Sequence, residues 1–60
     1  MTAKELIKRL KSDGWVEIRQ IGSHKQFKHP SKPGLVTVPF HTGDIAIGTL
    51  RSIIKHAGLQ

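Results

Sequence analysis

The sequence predicts an α+β domain in the order α-β-β-β-α, a three-stranded antiparallel sheet with both helices on one face. Three observations predict it. Apolar residues recur at helical spacing near each end, at Ala3, Leu6, Ile7 and Leu10 and again at Leu50, Ile53, Ile54 and Ala57. Between these stripes the period falls to two. Two turn-rich segments, Gly22-Ser23 and Pro30-Ser31-Lys32-Pro33-Gly34, divide that middle region into three short strands. A sheet with one apolar face needs a cover, and two amphipathic helices are available to supply it.

The first helix opens on Thr2 and Glu5, the spacing of a capping box in which each side chain satisfies the other residue's exposed amide. Lys4, Lys8 and Lys11 gather on another face and read as solvated. Asp13-Gly14 ends the helix, with Gly14 suited to the left-handed position past its last turn. From Trp15, Val16 and Ile18 alternate with Glu17 and Arg19, which predicts a half-buried strand with Val16 and Ile18 turned to the core. The second strand runs from His24 to His29. Phe27, its apolar residue, should face the core and place Lys25 and His29 on the same side; His24, Gln26 and Lys28 then share the open face. Leu35-Val36-Thr37-Val38 is a β-branched third strand stopped by Pro39. The second helix is read from Gly48-Thr49, with Arg51 and Lys55 stacked outside its apolar stripe and Gly58 at its end. With no repeat or linker, residues 1–60 read as one unit.

Composition narrows the function. Ten Lys and Arg against four Asp and Glu give a net charge of +6 on 60 residues, which suits a polyanionic partner and nucleic acid above all. The absence of cysteine excludes a disulfide scaffold and a thiolate zinc site. No apolar run approaches the roughly 20 residues that span a bilayer. Neither helix has the aromatic and leucine-rich face of a membrane-surface anchor. The opening Met1-Thr2-Ala3-Lys4-Glu5 lacks the apolar core of a signal peptide, so a cytoplasmic location is expected. Trp15, Phe27 and Phe40 are too few aromatics for a single-strand binder built on base stacking.

Four histidines raise the question of a metal. His24 and His29 lie on opposite faces of one strand, roughly 16 Å apart at about 3.3 Å per residue, and cannot share an ion. His41 and His56 fall in a loop and a helix with no spaced carboxylate beside them, so no metal or other cofactor is expected. His24 is different in position: it opens a strand immediately after Gly22-Ser23, on the open face. An imidazole there can accept or donate a proton near neutrality. Lys25, Lys28, Arg51 and Lys55 are candidate phosphate contacts. Gly22 and Ser23 are candidates for close backbone approach to a phosphate, since Gly22 has no side chain to obstruct it.

Three segments together carry a family resemblance. They are Gly22-Ser23-His24-Lys25-Gln26-Phe27-Lys28-His29-Pro30, Val36-Thr37-Val38-Pro39, and Gly48-Thr49-Leu50-Arg51-Ser52-Ile53-Ile54-Lys55-His56-Ala57-Gly58-Leu59. In order and spacing they resemble the HicA toxins of toxin–antitoxin systems, and the first helix ending in Asp13-Gly14-Trp15 fits as well. The resemblance covers nearly the whole chain. It implies a fold like that of double-stranded-RNA-binding domains, an arrangement the predicted element order shares. It further implies a ribosome-independent mRNA interferase with one catalytic histidine, mapping onto His24, and a HicB-type antitoxin that occludes that residue. After Pro39 the chain departs from other members, reading Phe40-His41-Thr42-Gly43-Asp44 where they have a His-Pro-Lys-Lys stretch.

The expected chemistry is metal-independent cleavage of RNA, with His24 as general base on the substrate's 2′-hydroxyl and Lys25 and Lys28 stabilising the phosphate. The free chain is expected to be monomeric. The competing expectation is an RNA- or DNA-binding module of the same fold without catalysis, and His24 is the residue that separates the two.

Overall fold

A computed structural model describes residues 1–59, and residue 60 lies outside the description. The elements are α1 (Ala3–Ser12), β1 (Val16–Ile21), β2 (His24–Lys28), β3 (Leu35–Pro39) and α2 (Ile47–Ala57), the predicted order. The sheet is antiparallel in the order β1-β2-β3. The buried stripes of both helices meet Phe27, Val36 and Val38 from one side of it.

The ends of α1 follow from local chemistry. The Glu5 amide donates to the Thr2 hydroxyl at 3.2 Å, and the Thr2 amide donates to Glu5 Oε1 at 2.8 Å, closing the capping box. The Thr2 amide, and after it the Thr2 hydroxyl, favours the ionised carboxylate and holds the Glu5 carboxyl below its ordinary range. Gly14 then takes a φ of +105°, and Gly58 closes α2 in the left-handed conformation. α2 starts at Ile47, slightly before the Gly48-Thr49 expected from sequence, and its N-cap residue Ala46 supplies no side-chain cap.

The second correction concerns β1. Val16 and Ile18 are turned out: they are 59 % and 46 % exposed, and Ile21 is 61 % exposed. Strand parity is set by Trp15, which is 1 % exposed. An indole buries about 150–250 Å², far more apolar surface than a valine, so the core takes Trp15 and Val16 must face the other way. Glu17 consequently points to the helix side, opposite Phe27. The register slips by one residue between Glu17 and Arg19, a β-bulge that leaves Ile18 without a partner of its own.

The two sheet turns are built differently. Gly22-Ser23 is a two-residue hairpin with a positive φ, +57°, at its first central position only, the signature of a type II′ turn. The longer 29–34 connection is organised by the His29 ring, which is almost wholly buried. Its Nε2–H donates to the Asp13 carbonyl at 2.7 Å, and Nδ1 accepts from the Ser31 and Lys32 amides at 3.0 and 3.2 Å. Lys32 in turn reaches Asp13 and the Ala57 carbonyl at the end of α2. No helix among the described residues is long and apolar enough to cross a membrane.

Candidate active site

The open side of the sheet can be laid out from its register, because directly opposed residues on antiparallel strands project to the same side. Ile21, His24 and Pro39 form a row at the hairpin end. Arg19, Gln26 and Thr37 form the middle row, and Val16, Lys28 and Leu35 the last. No carboxylate belongs to these nine positions. The face carries an imidazole, a guanidinium and an ammonium, with Gln26, Thr37 and apolar side chains between them, and no helix among the described residues covers it.

His24 is the first residue of β2 and is exposed. Among the described residues its ring makes no hydrogen bond, whereas the His29 ring uses both nitrogens on backbone groups. The type II′ turn places Gly22 and Ser23 directly before it, and the Ser23 carbonyl accepts from the Phe40 amide at 2.6 Å. The hairpin tip is thereby tied to the end of β3.

The predicted basic residues separate into three groups. Lys28 shares the face with His24 but lies four residues along the strand, roughly 13 Å at about 3.3 Å per residue. Lys25 lies on the helix side: its ammonium is held by both Glu17 carboxylate oxygens at 3.2 and 3.1 Å and sits 4.6 Å from the centroid of the Phe40 ring. Arg51 and Lys55 are exposed on the outer surface of α2, in the layer behind the sheet, and are not brought to His24.

Arg19 is a cation on the open face that the sequence reading did not single out. It pairs with Gln26, its Nε donates to the Gln26 side-chain oxygen, and it stands diagonally across from His24. Such diagonal neighbours are about 7–8 Å apart, within reach of a long side chain. Parity from the buried Trp15 alone would put Arg19 on the helix side with Glu17; the bulge between Glu17 and Arg19 brings it to the open face, and no signal in the sequence marks that bulge.

The remaining histidines have other surroundings. His41 Nδ1 lies 3.0 Å from the Thr42 carbonyl, and His56 lies against Gly34. Among the described residues no three His, Cys, Asp or Glu side chains gather closely enough to hold a metal ion. Asp13, beside His29, is held below the usual carboxylate range chiefly by its hydrogen bond from Lys32.

Fold and face together define a small basic α+β domain that presents one unengaged histidine on an uncovered sheet. Residues 3–59 match the family described as the HicA toxin of bacterial toxin-antitoxin, and the chain belongs to that family. It is thus a toxin of a toxin–antitoxin pair, with a cognate antitoxin as its partner. A search of curated proteins finds no match.

Proposed function

We propose that this chain is an endoribonuclease that cleaves messenger RNA independently of the ribosome, with His24 as its catalytic residue. The observation that carries the reading is the unengaged His24 imidazole on a carboxylate-free sheet face, with Arg19 diagonal to it. His24 takes the proton from the substrate's 2′-hydroxyl, and that oxygen attacks the adjacent phosphorus. The bond to the 5′-oxygen breaks, and this leaving oxygen is protonated from solvent. The products are a 2′,3′-cyclic phosphate and a 5′-hydroxyl. General-base assistance of this kind is typically worth 10²–10⁴-fold.

Charge on the phosphorane-like transition state is stabilised by Arg19, with Lys28 holding a more distant phosphate of the same strand. Gly22 and Ser23 let the RNA backbone approach the hairpin tip. Lys25, engaged by Glu17, supports the sheet from behind. Arg51 and Lys55 belong to a separate surface and serve longer-range attraction of the polyanion. No metal is required, because the nucleophile is part of the substrate. A HicB-type antitoxin silences the chain by covering the open face and His24 with it. The test is the effect of His24→Ala on cleavage together with the chemistry of the product ends. A 3′-hydroxyl product, or loss of activity in chelator, contradicts the mechanism.

A further inference from the structure

A second concavity lies around the rim of the sheet from His24. It has a volume of about 440 Å³ and is walled by Ala3 and Lys4 of α1 and by Phe40, His41 and Thr42 of the segment after β3. That volume falls in the range of small-ligand sites. Its connection to the hairpin is direct. Pro39 is the cross-strand partner of His24, Phe40 follows it, and the Phe40 amide is bonded to the Ser23 carbonyl.

We infer that this groove receives one unpaired nucleobase of the RNA strand, flanking the phosphate held at His24. The inference rests on the ribonuclease reading for its strand but not for its chemistry. The half-buried Phe40 ring offers apolar contact to a base. Lys4, exposed on the opposite wall, offers a cation to a base carbonyl or to the phosphate. His41 adds direction. The Thr42 carbonyl can only accept, so the proton on that ring sits on Nδ1, and in the neutral ring Nε2 is an acceptor. An acceptor of that kind pairs with an amino or imino group on a base edge.

Two alternatives for the same groove are weaker. The capping box engages the Thr2 and Glu5 amides and holds the Glu5 carboxylate at the start of α1, where its charge opposes a second anion. The two acids near the groove are engaged: Asp44 faces the Met1 ammonium at 3.7 Å, and Glu5 accepts from the Thr2 amide. A base recognised in a pocket while its strand is unpaired is also the usual way proteins read RNA sequence. The groove therefore gives the toxin a base preference that its nearly aromatic-free sheet face does not supply.

The test uses the full chain carrying His24→Ala, so that RNA is bound without being cut. Short unpaired oligoribonucleotides of varied sequence are titrated while backbone amide resonances are followed. We expect shifts at residues 2–4 and 40–43, and affinity lowered on the order of tenfold by a combined Lys4→Ala and His41→Ala change. Unchanged thermal unfolding of that variant shows that the loss is not one of folding. In the chain with His24 intact, the His41→Ala change alters which base flanks the cut. Shifts confined to the open sheet face, or a base preference untouched by these changes, overturn the inference. The ribonuclease reading fails separately, by RNA cleavage that survives His24→Ala.

Discussion

His29 and Asp13 are joined by a 2.7 Å hydrogen bond from the imidazole Nε2–H to the Asp13 carbonyl, linking the end of α1 to the start of the 29–34 turn. The ring also meets Trp15 edge-on, with centroids 5.2 Å apart. A β-carbon at Gly14 would come 2.8 Å from His29 Nε2, in a backbone conformation that side chains rarely adopt. The histidine next to the candidate site in sequence is therefore a structural clasp.

It follows that His29→Ala is destabilising by about 2–4 kcal/mol, since it removes three hydrogen bonds and an aromatic contact together. Gly14→Ala is destabilising as well, through strain and collision. Thermal denaturation measures both, at about 4–8 °C per kcal/mol for so small a domain. A His29→Ala variant with the parent melting temperature contradicts the clasp.

The opposite sides of the sheet separate two cations adjacent to the hairpin. Arg19→Ala is expected to slow RNA cleavage by about tenfold or more, as the loss of a charge facing the reacting phosphate. Lys25→Met should lower stability by about 1 kcal/mol through the loss of its half-buried partner Glu17, and alter cleavage little. Single-turnover rates on one RNA decide between them, and the reverse order contradicts the register-based placement.

Asp13 and Glu5 both have carboxyls lowered in the fold, the first chiefly by Lys32 and the second by the Thr2 amide. A carboxyl lowered on folding stabilises the native state above its unfolded pKa, and that contribution is lost as pH falls through the lower folded value. Melting temperature should therefore hold steady above about pH 5 and decline below about pH 4. Asp13→Asn should flatten that decline. An unchanged acid slope in Asp13→Asn and Glu5→Gln would show that these hydrogen bonds contribute nothing.

Antitoxin binding offers a test of the outward aliphatic residues. Ile21 stands beside His24 and is 61 % exposed. An exposed aliphatic at the centre of an interface is worth about 2 kcal/mol or more when replaced by a charge. Ile21→Asp should weaken the complex by at least about 30-fold while leaving the melting temperature near that of the parent. Undiminished antitoxin affinity places the interface elsewhere.

Much of the fold was legible because its signals are local. Thr2 and Glu5 announce their helix by spacing, and Gly14 and Gly58 announce the helix ends by their backbone freedom. Phe27 fixes the face of β2, and with it the outward position of His24. β1 was read with the wrong face because Val16 and Ile18 alternate convincingly, while the deciding residue, Trp15, stands outside the alternation. A bulge at Ile18 leaves no mark in composition. The clasp at His29 was equally invisible, since its partners are 16 residues away at Asp13 and across a turn at Ser31 and Lys32. The same limit hid Arg19, whose nearness to His24 is a matter of register.

The most direct measurement compares cleavage of one defined messenger RNA by the parent chain and by His24→Ala, at matched folding and in the presence of chelator. We expect the parent to yield 2′,3′-cyclic phosphate and 5′-hydroxyl ends, and His24→Ala to lose at least about 10²-fold in rate while still binding RNA. Cleavage by His24→Ala at the parent rate would contradict the assignment of His24 as the catalytic residue.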